Sequence, residues 1–332
     1  MKVAVFSTKK YDRELLDAAN RVHGHDLSYF ESHLGPATSR LAAGFPAVCV
    51  FVNDQVDSVT IKQLAAGGTR IIATRSTGFN HIDLKAAAAH NIKVVRVTDY
   101  SPYSVAEFAV GLLLTLNRKI HRAYNRTREG NFELDGLLGR DLHGQTVGIM
   151  GTGKIGRVFA HIMLGFGCKI LGYDKYPHPE FIAMGCLYVE PDEMLQKADI
   201  FSLHLPLTAD TYHIFNASRF SRIKSGALLV NTSRGGLIET EAAIEALKRG
   251  QLGGMAIDVY EQEADLFFQD HSNQIITDDV IQRLVSFPNV IVTGHQAFFT
   301  REAVGTISAS TLQSLSNFEA GLPLYKEEVL PD

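Results

Sequence analysis

The 332-residue sequence has few of the features that mark secreted, membrane-bound or nucleic-acid-binding proteins. Its three cysteines, Cys49, Cys168 and Cys186, are odd in number and far apart, which argues against a disulfide framework, and no Cys or His has metal-ligand spacing. No segment is apolar enough to span a bilayer, and the first residues read as a strand and not as a signal peptide. The net charge of −4 argues against nucleic acid as the main partner. We therefore expect a protein of the reducing cytoplasm without a metal, whose partner is a small molecule.

The length of the chain indicates two domains, each with its own core. Strand and helix patterns alternate through the first hundred residues and again from Thr146 onward, which predicts doubly wound parallel α/β sheets. A single long helix is predicted from about Tyr103 to Asn125, with Ser104 and Glu107 as a capping box, and it leads into the second half. A final helix from Thr300 to about Phe318 is predicted to return to the first domain. The polar stretch 126–143 between these helices is interpreted as an arm on a partner subunit, with a solvated loop as the alternative.

The most informative stretch is a strand, a glycine turn, a helix and a second strand. Gly151, Gly153 and Gly156 stand in the spacing G-x-G-x-x-G, and the second strand ends in Asp174. The first glycine allows a tight turn, the second lets a pyrophosphate approach the backbone, and the third lets the helix lie against the strand. Asp174 can accept hydrogen bonds from an adenosine ribose, and its charge disfavours a 2′-phosphate. The unit therefore predicts NAD in preference to NADP, a preference that Lys175 weakens.

Polar side chains also follow other strands, and one such place is the turn Arg75–Asn80. Free N–H groups at a strand end can bind a carboxylate, although an ordinary βα loop is an equal interpretation. In the second half, Arg234, Glu263 and His295 each follow a separate predicted strand. A guanidinium can hold a carboxylate with two hydrogen bonds, and a carboxylate beside a histidine favours the protonated ring. These are the requirements of hydride transfer to a 2-keto acid, whereas any one of the three side chains alone would more often be structural.

With these motifs in order along the whole chain, the sequence resembles the D-isomer-specific 2-hydroxyacid dehydrogenases, and within that family the lactate branch. The resemblance rests on Gly151–Gly156 with Asp174, Asn231–Gly235, Asp258–Glu263, Leu266–Phe268 and Gly294–Phe298. It implies that His295 is the proton donor for pyruvate, that Glu263 hydrogen-bonds His295, and that Arg234 binds the carboxylate. It also implies a flavodoxin-like substrate domain at 1–100 plus 299–332 and a Rossmann NAD-binding domain at 101–298, with the site in a cleft between them.

The remaining contacts follow from the same resemblance. It assigns NAD contacts to Gly151, Gly153, Lys154, Ile155, Gly156, Asp174, Leu205, Pro206, Thr211, Thr232, Ser233, Arg234, Asp258 and His295. It assigns substrate contacts to Thr77, Gly78, Tyr100, Arg234, His295 and Phe298.

Three alternatives to a pyruvate reductase stay open at this point. A related dehydrogenase would act on a larger 2-keto acid, on hydroxypyruvate or on glyoxylate, because the Arg-Glu-His set is common to the wider family. A non-catalytic NADH-sensing module would bind the cofactor without turnover. A hydrolase acting on an adenosyl ligand in a related fold would need a different residue set. A homodimer or a larger homo-oligomer is expected.

Overall fold

The computed structural model of the protein describes residues 1–263 and 266–331. The chain divides into two compact units. The first comprises residues 1–101 and the chain from residue 299 onward, and the second comprises residues 102–298. Both units are built around parallel sheets, so the predicted doubly wound α/β fold class is confirmed. Within the described residues, no helix has the length and apolarity needed to cross a membrane.

The first unit is a five-stranded parallel sheet, within the described residues, in the order β2-β1-β3-β4-β5. This is the order of a flavodoxin-like sheet, the fold that the family resemblance implies for this part of the chain. Its elements up to residue 101 are β1 Lys2–Val5, α1 Lys10–Asn20, β2 Asp26–Tyr29, β3 Ala47–Val50, α2 Ser58–Ala66, β4 Ile71–Thr74, α3 Leu84–Ala89 and β5 Lys93–Arg96. All four residues of both β3 and β4 are buried, because helices cover both faces of the sheet.

The second unit holds a parallel sheet of seven described strands in the order β12-β11-β10-β9-β6-β7-β8. Its elements are α4 Pro102–Arg118, α5 Ile120–Arg128, β6 Thr146–Met150, α6 Lys154–Gly165, β7 Lys169–Tyr173, α7 Pro179–Ala183, β8 Leu187–Tyr188, α8 Pro191–Lys197, β9 Ile200–Leu203, α9 Ala217–Phe220, β10 Ala227–Asn231, α10 Thr240–Lys248, β11 Leu252–Ile257, α11 Asp279–Ser286 and β12 Val290–Val292. The chain leaves its first strand, β6, in both directions, so the switch point of the sheet lies between β6 and β9.

The last helix, α12 Arg301–Glu319, belongs to the first unit. Thr300 caps it by accepting a hydrogen bond from the Ala303 amide, as the sequence predicted. Leu312 and Leu315 of this helix are buried against Val3 and Val5 of β1. The C-terminal helix therefore completes one face of the first core.

Three local predictions were wrong. The single long helix is two helices, because Lys119 adopts a left-handed backbone (φ 52°) between α4 and α5. Ser104 lies inside α4 and does not begin it, since Pro102 occupies the first turn. From Asp265, a residue outside the described range, to Arg283 the sequence has little regular pattern and indicates irregular structure, yet α11 begins there at Asp279, and Asp278 caps it through the amides of the first turn.

Candidate active site

The glycine turn lies between β6 and α6, at the switch point of the second sheet. Gly151 has φ +95°, and a Cβ there would lie 2.5 Å from the carbonyl carbon of His204, at the end of β9. A Cβ on Gly156 would lie 2.0 Å from the Gly151 carbonyl oxygen. Around Gly153, in contrast, a Cβ would meet no described atom within 4 Å. Gly151 and Gly156 thus allow close contacts within the turn, whereas Gly153 leaves open space beside the backbone.

This turn fits the pyrophosphate of a dinucleotide. Gly153 is the N-cap of α6, and no side-chain cap hydrogen bond forms there among the described residues, so the helix N-terminus suits an anion. Asp174 lies at the end of β7, and one of its carboxylate oxygens accepts a hydrogen bond from the Thr152 amide at 2.7 Å. Lys175 forms an exposed ion pair with Asp210 (3.6 Å), which sets a second carboxylate near this end of the sheet. Both carboxylates disfavour a 2′-phosphate.

The predicted cofactor residues that follow β9 and β10 are held to one another. The Ser233 hydroxyl donates to the Leu205 carbonyl at 2.6 Å, and the Thr211 hydroxyl donates to the Pro206 carbonyl at 2.7 Å. Thr232 is only 8% exposed, and its buried hydroxyl oxygen has no hydrogen-bond partner within the described residues. A buried hydroxyl is normally satisfied, so this atom fits a bound ligand. Together with the open space at Gly153, it indicates that the residues present suit NAD.

Arg234 follows β10, and its turn is shaped by Asn231. This asparagine is fully buried, accepts from the Ser233 amide at 3.0 Å and donates to the Arg234 carbonyl at 2.8 Å. The Arg234 guanidinium donates to the Ser233 carbonyl at 2.7 Å through one nitrogen. Its other donors form no hydrogen bond to the described chain. A half-buried guanidinium with spare donors can bind a carboxylate.

One interpretation of this turn was wrong. In the sequence, the two glycines directly after Arg234 indicate room for a ligand beside it. A Cβ on Gly235 would instead lie 2.1 Å from the backbone carbon of Tyr260, and one on Gly236 would contact the Leu207 side chain. Gly235 therefore allows the turn after β10 to contact the chain after β11. This contact fixes the position of the Arg234 backbone.

Glu263 and His295 form the pair that the sequence predicted. The Nδ1 atom of His295 lies 2.9 Å from Glu263 Oε1, and the Tyr260 amide donates to Glu263 Oε2 at 3.0 Å. The second ring nitrogen, Nε2, forms no hydrogen bond within the described part of the chain. The Phe268 ring lies 5.7 Å from the His295 ring, centroid to centroid. The pair presents one free ring nitrogen beside an aromatic wall, which is the arrangement of a proton donor with an orienting carboxylate.

Asp258 is fully buried, and its contacts point inward. Its carboxylate accepts hydrogen bonds from the Thr293 hydroxyl (2.5 Å), the Gln296 amide (3.0 Å) and the Ala297 amide (2.7 Å). Burial raises the pKa of this carboxyl, and the same hydrogen bonds act in the opposite direction. Asp258 thus anchors the segment that carries His295. Its predicted contact with the nicotinamide stays a prediction.

The predicted substrate turn of the first unit follows β4. The Ser76 hydroxyl donates to the Gly78 carbonyl at 2.6 Å, and Arg96 donates to the Thr77 carbonyl at 3.2 Å. Tyr100 of this unit and Phe298 of the second unit are both half-buried. Their predicted role as walls of the substrate pocket, like that of Lys154 and Ile155 at the start of α6, stays a prediction.

Sequence reasoning missed two histidines of the second unit. His204 directly follows β9, and its Nε2 atom lies 2.9 Å from Ser202 Oγ. Burial lowers the pKa of this histidine to about 3. His213 Nε2 lies 2.6 Å from Glu261 Oε1, which forms a second His-Glu pair near Gly235. The sequence signal for His204 is its position directly after a strand, where parallel sheets place ligand-binding residues. For His213, which lies in a loop with φ +51°, the sequence carries no comparable signal.

Comparison with known proteins agrees with this geometry. The family model described as the NAD binding domain of the D-isomer specific 2-hydroxyacid dehydrogenases matches residues 110–297. The chain is 51% identical to 2-hydroxyacid dehydrogenase homolog 1 of Schizosaccharomyces pombe, over 96% of each chain. It is 48% identical to D-lactate dehydrogenase of Escherichia coli, over 97% of this chain and 98% of that protein.

A solved structure resembles the whole chain as well. The apo-structure of D-lactate dehydrogenase from Escherichia coli superposes with a TM-score of 0.92 and 45% identity, over 99% of this chain and 100% of that one. The matches span both units and are far above the level at which only a fold is shared. The chain therefore belongs to the D-isomer specific 2-hydroxyacid dehydrogenases, a family of NAD-dependent oxidoreductases.

Proposed function

We propose that this enzyme is a D-lactate dehydrogenase that interconverts pyruvate and D-lactate. Gly151, Gly153 and Gly156 would hold NADH, which would supply the hydride for C2 of pyruvate and be released as NAD⁺. His295 donates a proton from Nε2 to the C2 oxygen as negative charge develops there. Glu263 orients the ring through Nδ1 and balances the charge of the imidazolium. Arg234 holds the substrate carboxylate with two parallel hydrogen bonds. In lactate oxidation the same ring nitrogen accepts the proton.

The observation that carries this proposal is the placement of Arg234, Glu263 and His295 after three neighbouring strands, β10, β11 and β12. The carboxyl ends of parallel strands share one edge of a sheet, so an anion-binding group and a proton donor lie on the same edge as the cofactor turn. Reduction of a 2-keto acid needs both groups beside a hydride source. The relative named D-lactate dehydrogenase, at 48% identity, supports pyruvate as the keto acid.

We assign the remaining substrate contacts to the first unit, as its substrate domain. The amides of Thr77 and Gly78 would meet the carboxylate, and Tyr100 would flank the methyl group, a role that we also assign to Phe298. Such aromatic walls favour a small apolar side chain on the substrate. In this assignment residues 1–100 and 299–332 handle the keto acid, and residues 101–298 handle NAD.

The proposal is tested by NADH oxidation at 340 nm. The purified protein is given pyruvate, 2-ketobutyrate, phenylpyruvate, hydroxypyruvate or glyoxylate, and the product is assigned as D or L. We expect the highest kcat/KM with pyruvate, a D product, and a marked loss of rate when NADPH replaces NADH. A preference for a larger or hydroxylated acid would show that the enzyme is another 2-hydroxyacid dehydrogenase of the same family. Tight NADH binding without turnover of any acid would favour the sensing module.

The segment 126–143, which the sequence predicts to lie on a partner subunit and which is here called the arm, supports a homodimer. Phe132, Leu134 and Leu138 are 76%, 82% and 88% exposed. The backbone of the arm is nevertheless fixed, because Arg126 donates to the Asp135 carbonyl at 2.7 Å and Lys119 donates to the Leu138 carbonyl at 2.5 Å. A fixed segment with outward apolar side chains is suited to a second copy of the chain. We assign the assembly to the cytoplasm, since the free thiols Cys49, Cys168 and Cys186 fit a reducing compartment.

The double variant Leu134→Asp, Leu138→Asp should shift the protein from dimer toward monomer. Two buried charges in an interface would cost several kcal/mol, enough to weaken association by about a thousandfold or more. The measurement is sedimentation equilibrium over a range of protein concentrations. Val22→Asp, at an exposed apolar residue of the first unit, is the matched control and should leave the mass unchanged. A double variant that sediments like the parent would show that the arm is not the interface.

A further inference from the structure

We infer that Arg96 is a positioning residue for the substrate carboxylate. The inference rests on the proposed function, because it concerns the turn Ser76–Gly78 that we assign to the carboxylate. Arg96 is the last residue of β5 and pairs in register with Thr74, the last residue of β4. Its side chain can therefore reach across the end of the neighbouring strand to the turn that follows it. No role for this residue was predicted from the sequence.

The turn is held by its carbonyl groups. Arg96 Nη1 donates to the Thr77 carbonyl at 3.2 Å, and the Ser76 hydroxyl donates to the Gly78 carbonyl at 2.6 Å. Since the Ser76 proton is used in that bond, the Thr74 hydroxyl must be the donor in its 2.7 Å contact with Ser76 Oγ. Two successive carbonyls are thus tied back to side chains of the same unit.

The amides of the turn are left for a ligand. Within residues 1–263 and 266–331, the N–H groups of Ser76, Thr77 and Gly78 donate to no other group, whereas the preceding Arg75 amide is bonded to the Val50 carbonyl. Successive free amides at a strand end form an anion-binding concavity. The Arg96 contact keeps the Thr77 carbonyl from turning toward the anion, where it would repel the carboxylate.

Arg96 also supplies charge. No carboxylate lies within 4.0 Å of its guanidinium among the described residues, so its charge is not paired. The guanidinium carbon lies 5.1 Å from the centroid of the Phe79 ring, which covers one face of the group and limits its hydration. An unpaired, partly desolvated cation directly behind the free amides strengthens their attraction for an anion. Arg75 cannot serve in this way, because its guanidinium is buried and lies 3.5 Å from Asp12.

The test compares Arg96→Met with Arg96→Lys. Loss of the hydrogen bond and the charge in Arg96→Met should raise KM for pyruvate on the order of tenfold, with kcat within about twofold of the parent. The inhibition constant of oxamate, a carboxylate analogue of pyruvate, should rise in parallel, and the dissociation constant for NADH should stay unchanged. Arg96→Lys keeps the charge and one donor, so it should recover most of the loss.

Arg70→Met is the matched control. Arg70 precedes β4, whereas the turn Ser76–Gly78 follows that strand at its other end. Like Arg96, Arg70 lies over a phenylalanine, 5.7 Å from the centroid of the Phe318 ring. Its replacement should leave KM and the oxamate constant at parent values. If Arg96→Met keeps both constants within twofold, or if it lowers kcat and thermal stability alone, the positioning role is wrong.

The parent enzyme separates this inference from the proposed function. If the parent enzyme prefers another 2-keto acid, pyruvate is not the substrate. The KM values of Arg96→Met and of the parent are then compared with that acid, because every 2-keto acid carries the carboxylate. A parent that turns over no keto acid disproves the enzymatic proposal. In that outcome oxamate binding to the NADH complex decides the role of Arg96 alone.

Discussion

Replacement of His295 by glutamine should reduce kcat for pyruvate reduction on the order of a thousandfold, because a glutamine side chain has no proton to give near neutral pH. Glutamine preserves a polar side chain of similar size, so the loss reports chemistry and not collapse of the site. The dissociation constant for NADH, followed by cofactor fluorescence, should change little. A large loss of kcat with an unchanged dissociation constant for NADH is what identifies a proton donor.

His161→Gln provides the control for this substitution. His161 lies on the exposed side of α6 in the same unit. The same change there should leave kcat and NADH binding at parent values. If His295→Gln retains near-normal turnover with correctly folded protein, the C2 oxygen must receive its proton from another group.

Arg234→Lys should lower kcat/KM for pyruvate by about a hundredfold or more, mostly through KM. Lysine keeps the charge, but a single ammonium cannot form the two parallel hydrogen bonds of a guanidinium. The contact from Arg234 to the Ser233 carbonyl would also be lost or bent, since the shorter group cannot serve both partners. NADH binding should be affected far less than pyruvate binding.

The exposed Arg249, at the end of α10, gives a matched control. Arg249→Lys should change neither KM nor kcat. Steady-state kinetics with pyruvate and oxamate inhibition measure both variants. A KM for pyruvate that stays at the parent value in Arg234→Lys would place the carboxylate elsewhere.

The parts of the site that the sequence predicted are those fixed by local chemistry. Each glycine of a strand–turn–helix phosphate site has its own steric role, so the spacing of Gly151, Gly153 and Gly156 is enough to predict what each does. The Glu263 and His295 pairing was available because both follow strands and because the motif resembles a known family. The distance of 2.9 Å between Glu263 Oε1 and His295 Nδ1 agrees with that prediction.

The parts that were missed depend on contacts distant in sequence. The sequence does not show that the backbone of Tyr260 lies against Gly235. Arg96 and Thr77 are 19 positions apart, and no periodicity indicates that one holds the other. The sequence also gives no signal for the break between α4 and α5 at Lys119. Lysine is a good helix former, and only tertiary packing can favour its left-handed backbone.

The backbone of His295 has a consequence for how this enzyme can change. His295 has φ +55°, a conformation that costs a non-glycine residue about 1 kcal/mol. The hydrogen bonds from Gln296 and Ala297 to Asp258 hold the chain in that conformation. Glycine at position 295 would relax the fold while abolishing its proton transfer. At this position a substitution that stabilises the fold would therefore remove activity. A selection for thermal stability alone would favour an inactive protein.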